Sequence, residues 1–187
     1  MNATAKETLA SWEPGQLTKQ KGGAESRRSG LLADRIEEGA AKLAAFAEGI
    51  SEAEWCVPVK ESGENGRTVG VIVHHVASMY PIEIDAAKAI AAGKPITDVT
   101  WEVVAQINAK HAQEQVQVTK AAALDLLRRN SHSAAETVRA FTDEQLDTAA
   151  PFSLSYGAPV TAQFVIEDHA LRHSWHHLAR IRATLGR

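Results

Sequence analysis

Half of the eight histidines of this 187-residue chain lie close together near its C-terminus, in the stretch DHALRHSWHHLARIR. Apolar residues recur there at helical spacing, and a helix turns by roughly 100° per residue, so a helical projection separates the four histidines. His173 and His177 fall on the apolar face or at its edge, whereas His169 and His176 fall on the opposite, solvent-facing side. Two imidazoles one turn apart can bind the same metal ion. His173 and His177 are therefore candidate metal ligands.

An earlier helical stretch, TVGVIVHHVASM, supplies a third candidate ligand. His75 lies at the edge of its apolar stripe, while His74 points away from it. A single histidine in such a place is more often a core residue with a hydrogen bond than a ligand. Three buried imidazoles without partners would cost about 1–3 kcal/mol per unpaired group, and a shared metal ion removes that cost. We therefore predict that His75, His173 and His177 bind one metal ion.

Three further residues are candidates for proton transfer. His111 lies within the apolar face of a third predicted helix, and Glu114 and Glu167 border the apolar faces of their helices. If the site is catalytic, the predicted proton acceptor is one of these three, because each can hold a proton near a metal-bound nucleophile. The alternatives are a core histidine that bonds a backbone carbonyl and two carboxylates at the rim. His132 is predicted to lie at the surface.

The elements that must position these residues are predicted to be helices. A capping box, Ser51 with Glu54, follows the first helix, and Pro81 is expected only to kink the second. The third is expected to falter at Asn130 and to restart at Ser133. The order helix, SEAEW, loop, histidine-bearing helix is echoed by helix, TDEQL, loop, histidine-bearing helix, which predicts an all-α four-helix bundle. Its long helices should begin near Leu31, Thr68, Thr100 and Thr161.

Composition limits the classes of function. The formal charge of −3 and the pI near 6.2 give no reason to expect nucleic acid or an anionic membrane as a partner. The single cysteine, Cys56, cannot form an internal disulfide, and the chain shows neither a membrane span nor a secretory signal. We therefore expect a cytoplasmic protein with an N-terminal arm over residues 1–28, which includes Trp12, and one domain over residues 29–187.

The two histidine-bearing stretches together resemble the DinB-like (YfiT-like) superfamily of metal-dependent hydrolases over roughly residues 31 to 185. His75 followed by Val-Ala-Ser matches the pattern of the family's second helix, and His173 and His177 match its H-x-x-x-H. Ser174 stands where the family commonly has an acidic residue, and Arg180 followed by Ile181 stands where it has Gln-Ile. The resemblance implies an up-and-down four-helix bundle with short accessory helices. It also implies a divalent metal ion, zinc or nickel, on these three histidines, and a homodimer.

The predicted function is that of a metal-dependent enzyme with a small-molecule substrate. Three histidine ligands leave coordination positions open, as catalytic sites do. Hydrolysis and transfer of a low-molecular-weight thiol, which the resemblance also implies, both fit a three-histidine metal site with open positions. One alternative is a non-catalytic bundle that binds a metal or a small ligand in a stress response. Another is a structural bundle without a metal.

Overall fold

The computed structural model of the chain describes residues 26–59 and 67–187. Nearly all of the predicted arm, including Trp12, and most of the polar loop before the second long helix lie outside the described residues. The elements in chain order are α1 (Arg27–Glu48), α2 (Glu52–Trp55), α3 (Val69–Ala91), α4 (Trp101–Glu114), α5 (Lys120–Arg139), α6 (Asp143–Asp147), β1 (Ala149–Pro151), a 3₁₀ turn (Ser153–Ser155), β2 (Pro159–Thr161), α7 (Ala162–Val165), a π-helical segment (Ile166–Leu171) and α8 (Arg172–Leu185).

Side-chain caps start the helices at the predicted places. The hydroxyls of Thr68, Thr100 and Thr161 each accept a hydrogen bond from the backbone N–H three residues further on. The predicted capping box of Ser51 is present, and Thr142 forms another in TDEQL. The first helix begins at Arg27, four residues before the predicted start. The second runs through Pro81 without ending, as predicted.

The four-helix bundle is confirmed, and its order in space differs from its order in sequence. We call α7, the π-helical segment and α8 together the C-terminal helix. The first long helix, α1, packs against α5 and the C-terminal helix, and α3 packs against the same two elements from the other side. The order around the bundle is therefore α1, α5, α3, C-terminal helix. This arrangement makes neighbours of the two helices that carry His75, His173 and His177.

The predicted third helix is two helices, and the prediction of a break at Asn130 was wrong. The chain leaves α4 after Glu114, and the hydroxyl of Thr119 caps the new helix α5 by accepting from the N–H of Ala122 at 3.3 Å. Asn130 lies inside α5, where its side-chain amide donates to the carbonyl of Ala77 in α3 at 2.9 Å. A polar residue that looked like a helix breaker thus joins two helices of the bundle.

Two elements lie outside the four-helix arrangement. None of the described residues of α4, Trp101–Glu114, is buried, and this helix packs on α3 from the outer side. The loop predicted between α6 and the last helix contains a short antiparallel β-hairpin, in which Ala150 pairs with Val160. Among the described residues, no helix is long and apolar enough to cross a membrane.

Candidate metal centre

The three predicted ligands lie together. One ring nitrogen from each of His75, His173 and His177 can be chosen so that all three nitrogens lie within 4.8 Å of one another. The ring centroids are 4.9 Å apart for His75 and His173 and 4.8 Å apart for His173 and His177. His75 is 4% exposed and His177 is 6% exposed. The helical phases predicted from the sequence therefore place these side chains correctly, while their binding of a metal ion stays a prediction.

Burial favours the neutral form of these imidazoles. It is the largest cause that lowers the pKa of His177 to about 2, with the charges of His173 and His176 adding to the effect. Burial likewise lowers the pKa of His75 well below its ordinary value, and the neighbouring His173 lowers it further. An imidazole must be neutral to bind a metal ion. At neutral pH these two rings are in the form that a metal requires.

A buried carboxylate orients the third imidazole. The Oε1 atom of Glu83 in α3 lies 2.6 Å from Nδ1 of His173, and the Glu83 side chain is 6% exposed. A carboxylate accepts hydrogen bonds, so Nδ1 of His173 donates and Nε2 is left to face a metal ion, as in many histidine metal sites. The other oxygen, Oε2, is buried and has no hydrogen-bond partner among the described residues.

Glu83 is the functional candidate that the sequence analysis missed. It lies eight residues after His75 on α3, and Met79, midway between them, lines the same cavity. Residues spaced by four lie on one face of a helix. The available signal was an acidic residue among the mostly apolar residues of α3, in the same helical row as His75, which is uncommon without a partner.

A second buried contact fixes α3 against α8 beside the histidines. The hydroxyls of Tyr80 and Ser174 are 2.7 Å apart, and both side chains are fully buried. Ser174 stands at the position where the resemblance implies an acidic residue. Its hydroxyl gives the Tyr80 hydroxyl a partner, which a buried phenol needs.

The prediction that His169 faces solvent was wrong. Its side chain is 21% exposed, and its ring lies 5.6 Å from that of Phe152 and lines the cavity of the three histidines. The helical projection assumed one regular helix, but Ile166–Leu171 is π-helical, and a π turn takes up one more residue than an α turn. His169 therefore has a different phase from His173 and His177, which lie in the regular helix α8.

His74 and His111 form a hydrogen-bonded pair. Nδ1 of His74 lies 2.8 Å from Nε2 of His111, and the ring centroid of His111 is 5.5 Å from that of His75. His74 points away from the core of α3, as predicted, but it meets α4 rather than water. Burial, with the charges of His74 and Arg67, lowers the pKa of His111 to about 4. That pKa is poorly matched to a proton acceptor at neutral pH.

The three predicted proton acceptors do not face the cavity of the triad. His111, Glu114 and Glu167 are absent from the described residues that line it. Glu114 is 58% exposed and pairs with Lys110, and Glu167 accepts a hydrogen bond from Gln163 at 3.0 Å. His111 and Glu114 lie on α4, which is outside the bundle. Glu167 lies in the π-helical segment, whose helical phase differs from that of α8. Of the acidic side chains in the described residues, Glu83 is the one that contacts His173 of the triad.

The cavity beside the three histidines has a volume of about 1290 Å³. It is lined by the buried groups His75, Glu83, His177 and Arg67 and by exposed residues such as Trp101. Small-molecule sites typically occupy about 300–1,000 Å³. The candidate metal centre is therefore open to an organic molecule of substantial size.

This four-helix bundle with its three converging histidines belongs to a known family. The sequence model of the DinB superfamily matches residues 35–181, so the chain is a member of that superfamily. Among solved structures, YfiT from Bacillus subtilis superposes with a TM-score of 0.67 at 19% sequence identity, over 89% of this chain and 90% of that one. YfiT is described as a probable metal-dependent hydrolase with an unusual four-helix bundle topology. At this identity the likeness establishes a shared fold. No curated protein matches the sequence.

Proposed function

We propose that the protein is a metal-dependent hydrolase of small organic molecules, with His75, His173 and His177 as the ligands of a divalent ion such as zinc or nickel. The observation that carries the proposal is the convergence of three imidazoles, two of them held neutral by burial, beside a cavity large enough for a substrate. Membership of the DinB superfamily and the hydrolase description of YfiT support it.

The residues present fit such an ion. Three imidazole nitrogens are the ligand set of many catalytic zinc sites, and a carboxylate on the outer nitrogen of one imidazole is a common support. When bound, a divalent ion supplies a Lewis acid and lowers the pKa of a bound water toward 7. Glu83 holds His173 in place through Oε1 and keeps the proton of that imidazole on Nδ1, so that Nε2 can bind the ion.

The ligand set is tested by metal analysis of the chain purified without a histidine tag. We expect about one divalent ion per chain, as in other three-histidine sites. We expect that ion to be lost from His75→Gln, His173→Gln and His177→Gln. His132→Gln is the matched control, because His132 is exposed and contacts Glu37 on the far side of the bundle. An ion retained equally by all four variants would contradict the ligand assignment.

The role of Glu83 is tested by turnover on a panel of esters and amides, run with and without low-molecular-weight thiols. Glu83→Gln should slow turnover by about 10- to 100-fold, the range for loss of a group that orients a metal ligand. It should weaken metal binding by about 10- to 100-fold as well. Glu114→Gln is the control, because Glu114 is exposed and should leave turnover unchanged. If only Glu114→Gln slows turnover, Glu114 is the proton acceptor. If activity requires a thiol, the protein is a thiol transferase.

A further inference from the structure

One charged group beside the three histidines has no part in the proposed hydrolysis. Arg67 is 9% exposed and lines the same cavity as His75 and His177. Its carbonyl accepts a hydrogen bond from the N–H of Val59 at 2.9 Å, which holds the backbone just before α3. The charge of Arg67 contributes to the lowered pKa of His75, His111 and His177. Its guanidinium is therefore within electrostatic reach of the centre.

The wall of the cavity that α4 forms is apolar, in contrast to the charged Arg67. No residue of Trp101–Glu114 is buried, yet the apolar side chains of Trp101, Val104 and Ile107 line the cavity. Trp101 is 54% exposed. A helix in a folded domain normally buries its apolar side against another element. Here that side faces a cavity, so an apolar molecule inside the cavity would supply the missing contact.

We propose that the cavity binds an amphipathic carboxylate, with its acid group on Arg67 beside the three histidines and its apolar chain or ring along α4. The proposal deepens the proposed function, on which it rests, by naming the class of substrate. A guanidinium has five N–H donors, so Arg67 can bind the two oxygens of a carboxylate and keep the interaction that it already has. The burial of Arg67 strengthens such a pair, because little water competes for it. Charge at one end and apolar surface at the other orient the molecule.

The anion subsite is tested by calorimetric titration of the full chain with octanoate, 1-octanol and acetate at pH 8. The titrations are run on the purified protein and again after chelation, so that carboxylate binding by a metal ion is separated from binding by Arg67. We expect octanoate to bind the chelated protein at least about 10-fold more tightly than 1-octanol. Each methylene buried along α4 should strengthen binding by about fourfold, so acetate should bind weakest. Phenylpropanoate, run alongside, distinguishes a ring-bearing from a chain-bearing preference.

Variants assign the two ends of the molecule. Arg67→Gln should weaken octanoate by about 10-fold or more and leave 1-octanol unchanged. Trp101→Ser should weaken both ligands alike. Arg129→Gln is the control, because Arg129 is exposed and pairs with Asp125. If 1-octanol equals octanoate on the chelated wild-type chain, or if Arg67→Gln binds octanoate like the wild type, the proposal is wrong. The wild-type comparison holds even if Arg67→Gln does not fold, and metal content tests the proposed hydrolase separately.

Discussion

The contact between α1 and α5 and the contact between α3 and the C-terminal helix are built differently. In the first, the buried side chains are small or aliphatic, and the buried serines Ser29 and Ser131 donate to backbone carbonyls. Its charges lie at the rim, where Arg139 pairs with Asp34 at 2.7 Å. The second contact buries ionisable and hydroxyl groups instead. They are His75, Glu83, Tyr80, Ser174 and His177.

This difference divides the bundle into a stabilising half and a candidate functional half. Burial of ionisable groups costs free energy that apolar side chains would not cost, so a cluster of them with shifted pKa values marks a functional site. The α1–α5 contact contributes buried small and aliphatic side chains and none of the candidate metal ligands. The four predictions below test this division, from the largest expected effect to the smallest.

Metal removal should lower the stability of the chain, because the proposed ligands lie in the α3 half. A ligand that binds the folded state at about 1,000 times its Kd stabilises the fold by about 4 kcal/mol. Chelation should therefore lower the free energy of unfolding of the wild-type chain by about this amount at that metal concentration, measured by urea unfolding. His177→Gln should not respond to chelation, whereas His132→Gln, in α5, should respond like the wild type. A wild-type chain indifferent to chelation would remove the basis of the division.

A cavity introduced into the α1–α5 contact should lower stability and leave the metal content unchanged. Leu127 in α5 is fully buried, and Leu127→Ala should lower the free energy of unfolding by about 2–5 kcal/mol. The metal content per folded chain should stay the same. Leu126→Ala is the neighbouring control, because Leu126 is only partly buried, and it should cost less. Loss of metal from folded Leu127→Ala would show that the two halves are coupled.

The metal-free protein should lose stability as the pH falls below about 6.5. The folded pKa of His177 is about 2, and that of His75 is also lowered, so the unfolded chain binds protons first. Stability is therefore fully present above the unfolded pKa of about 6.5 and is lost as the pH falls toward the folded value. His177 alone should account for a loss on the order of 2 kcal/mol between pH 7 and 5.

The measurement is urea unfolding of the chelated chain at pH 8, 7, 6 and 5. His177→Gln should show a smaller loss over this interval, while His132→Gln should match the wild type, because His132 is exposed. The lowered pKa values of Asp143 and Asp147 act only at more acidic pH, where carboxylates take up protons. Equal stability at pH 7 and 5 would contradict the burial of neutral histidines.

The smallest effect should come from the hydroxyl contact between Tyr80 and Ser174. Tyr80→Phe and Ser174→Ala should each lower the free energy of unfolding by about 1 kcal/mol, because each leaves a buried hydroxyl without its partner. The double variant should cost less than the sum of the two, since the same hydrogen bond is lost only once. Full additivity would show that the two hydroxyls do not stabilise one another.

The sequence by itself determined the helices and the side chains that share a face. Capping by Thr68, Thr100 and Thr161 depends on residues within one turn, and the phase of His173 relative to His177 depends only on their spacing in a regular helix. These features are local, so the residue pattern was enough to predict them. The same pattern failed at Asn130 and at His169, where a distant carbonyl and a π turn override the local signal.

Only the tertiary structure decided which faces meet. That α3 lies beside the C-terminal helix, and α4 outside the bundle, follows from the packing of whole helices, which short-range patterns do not encode. The contacts of Glu83 and His111 therefore could not be predicted from sequence. Glu83 reaches His173 across a helix contact 90 residues away in the chain. His111 reaches His74 rather than the cavity, because α4 presents it to the outer side of α3.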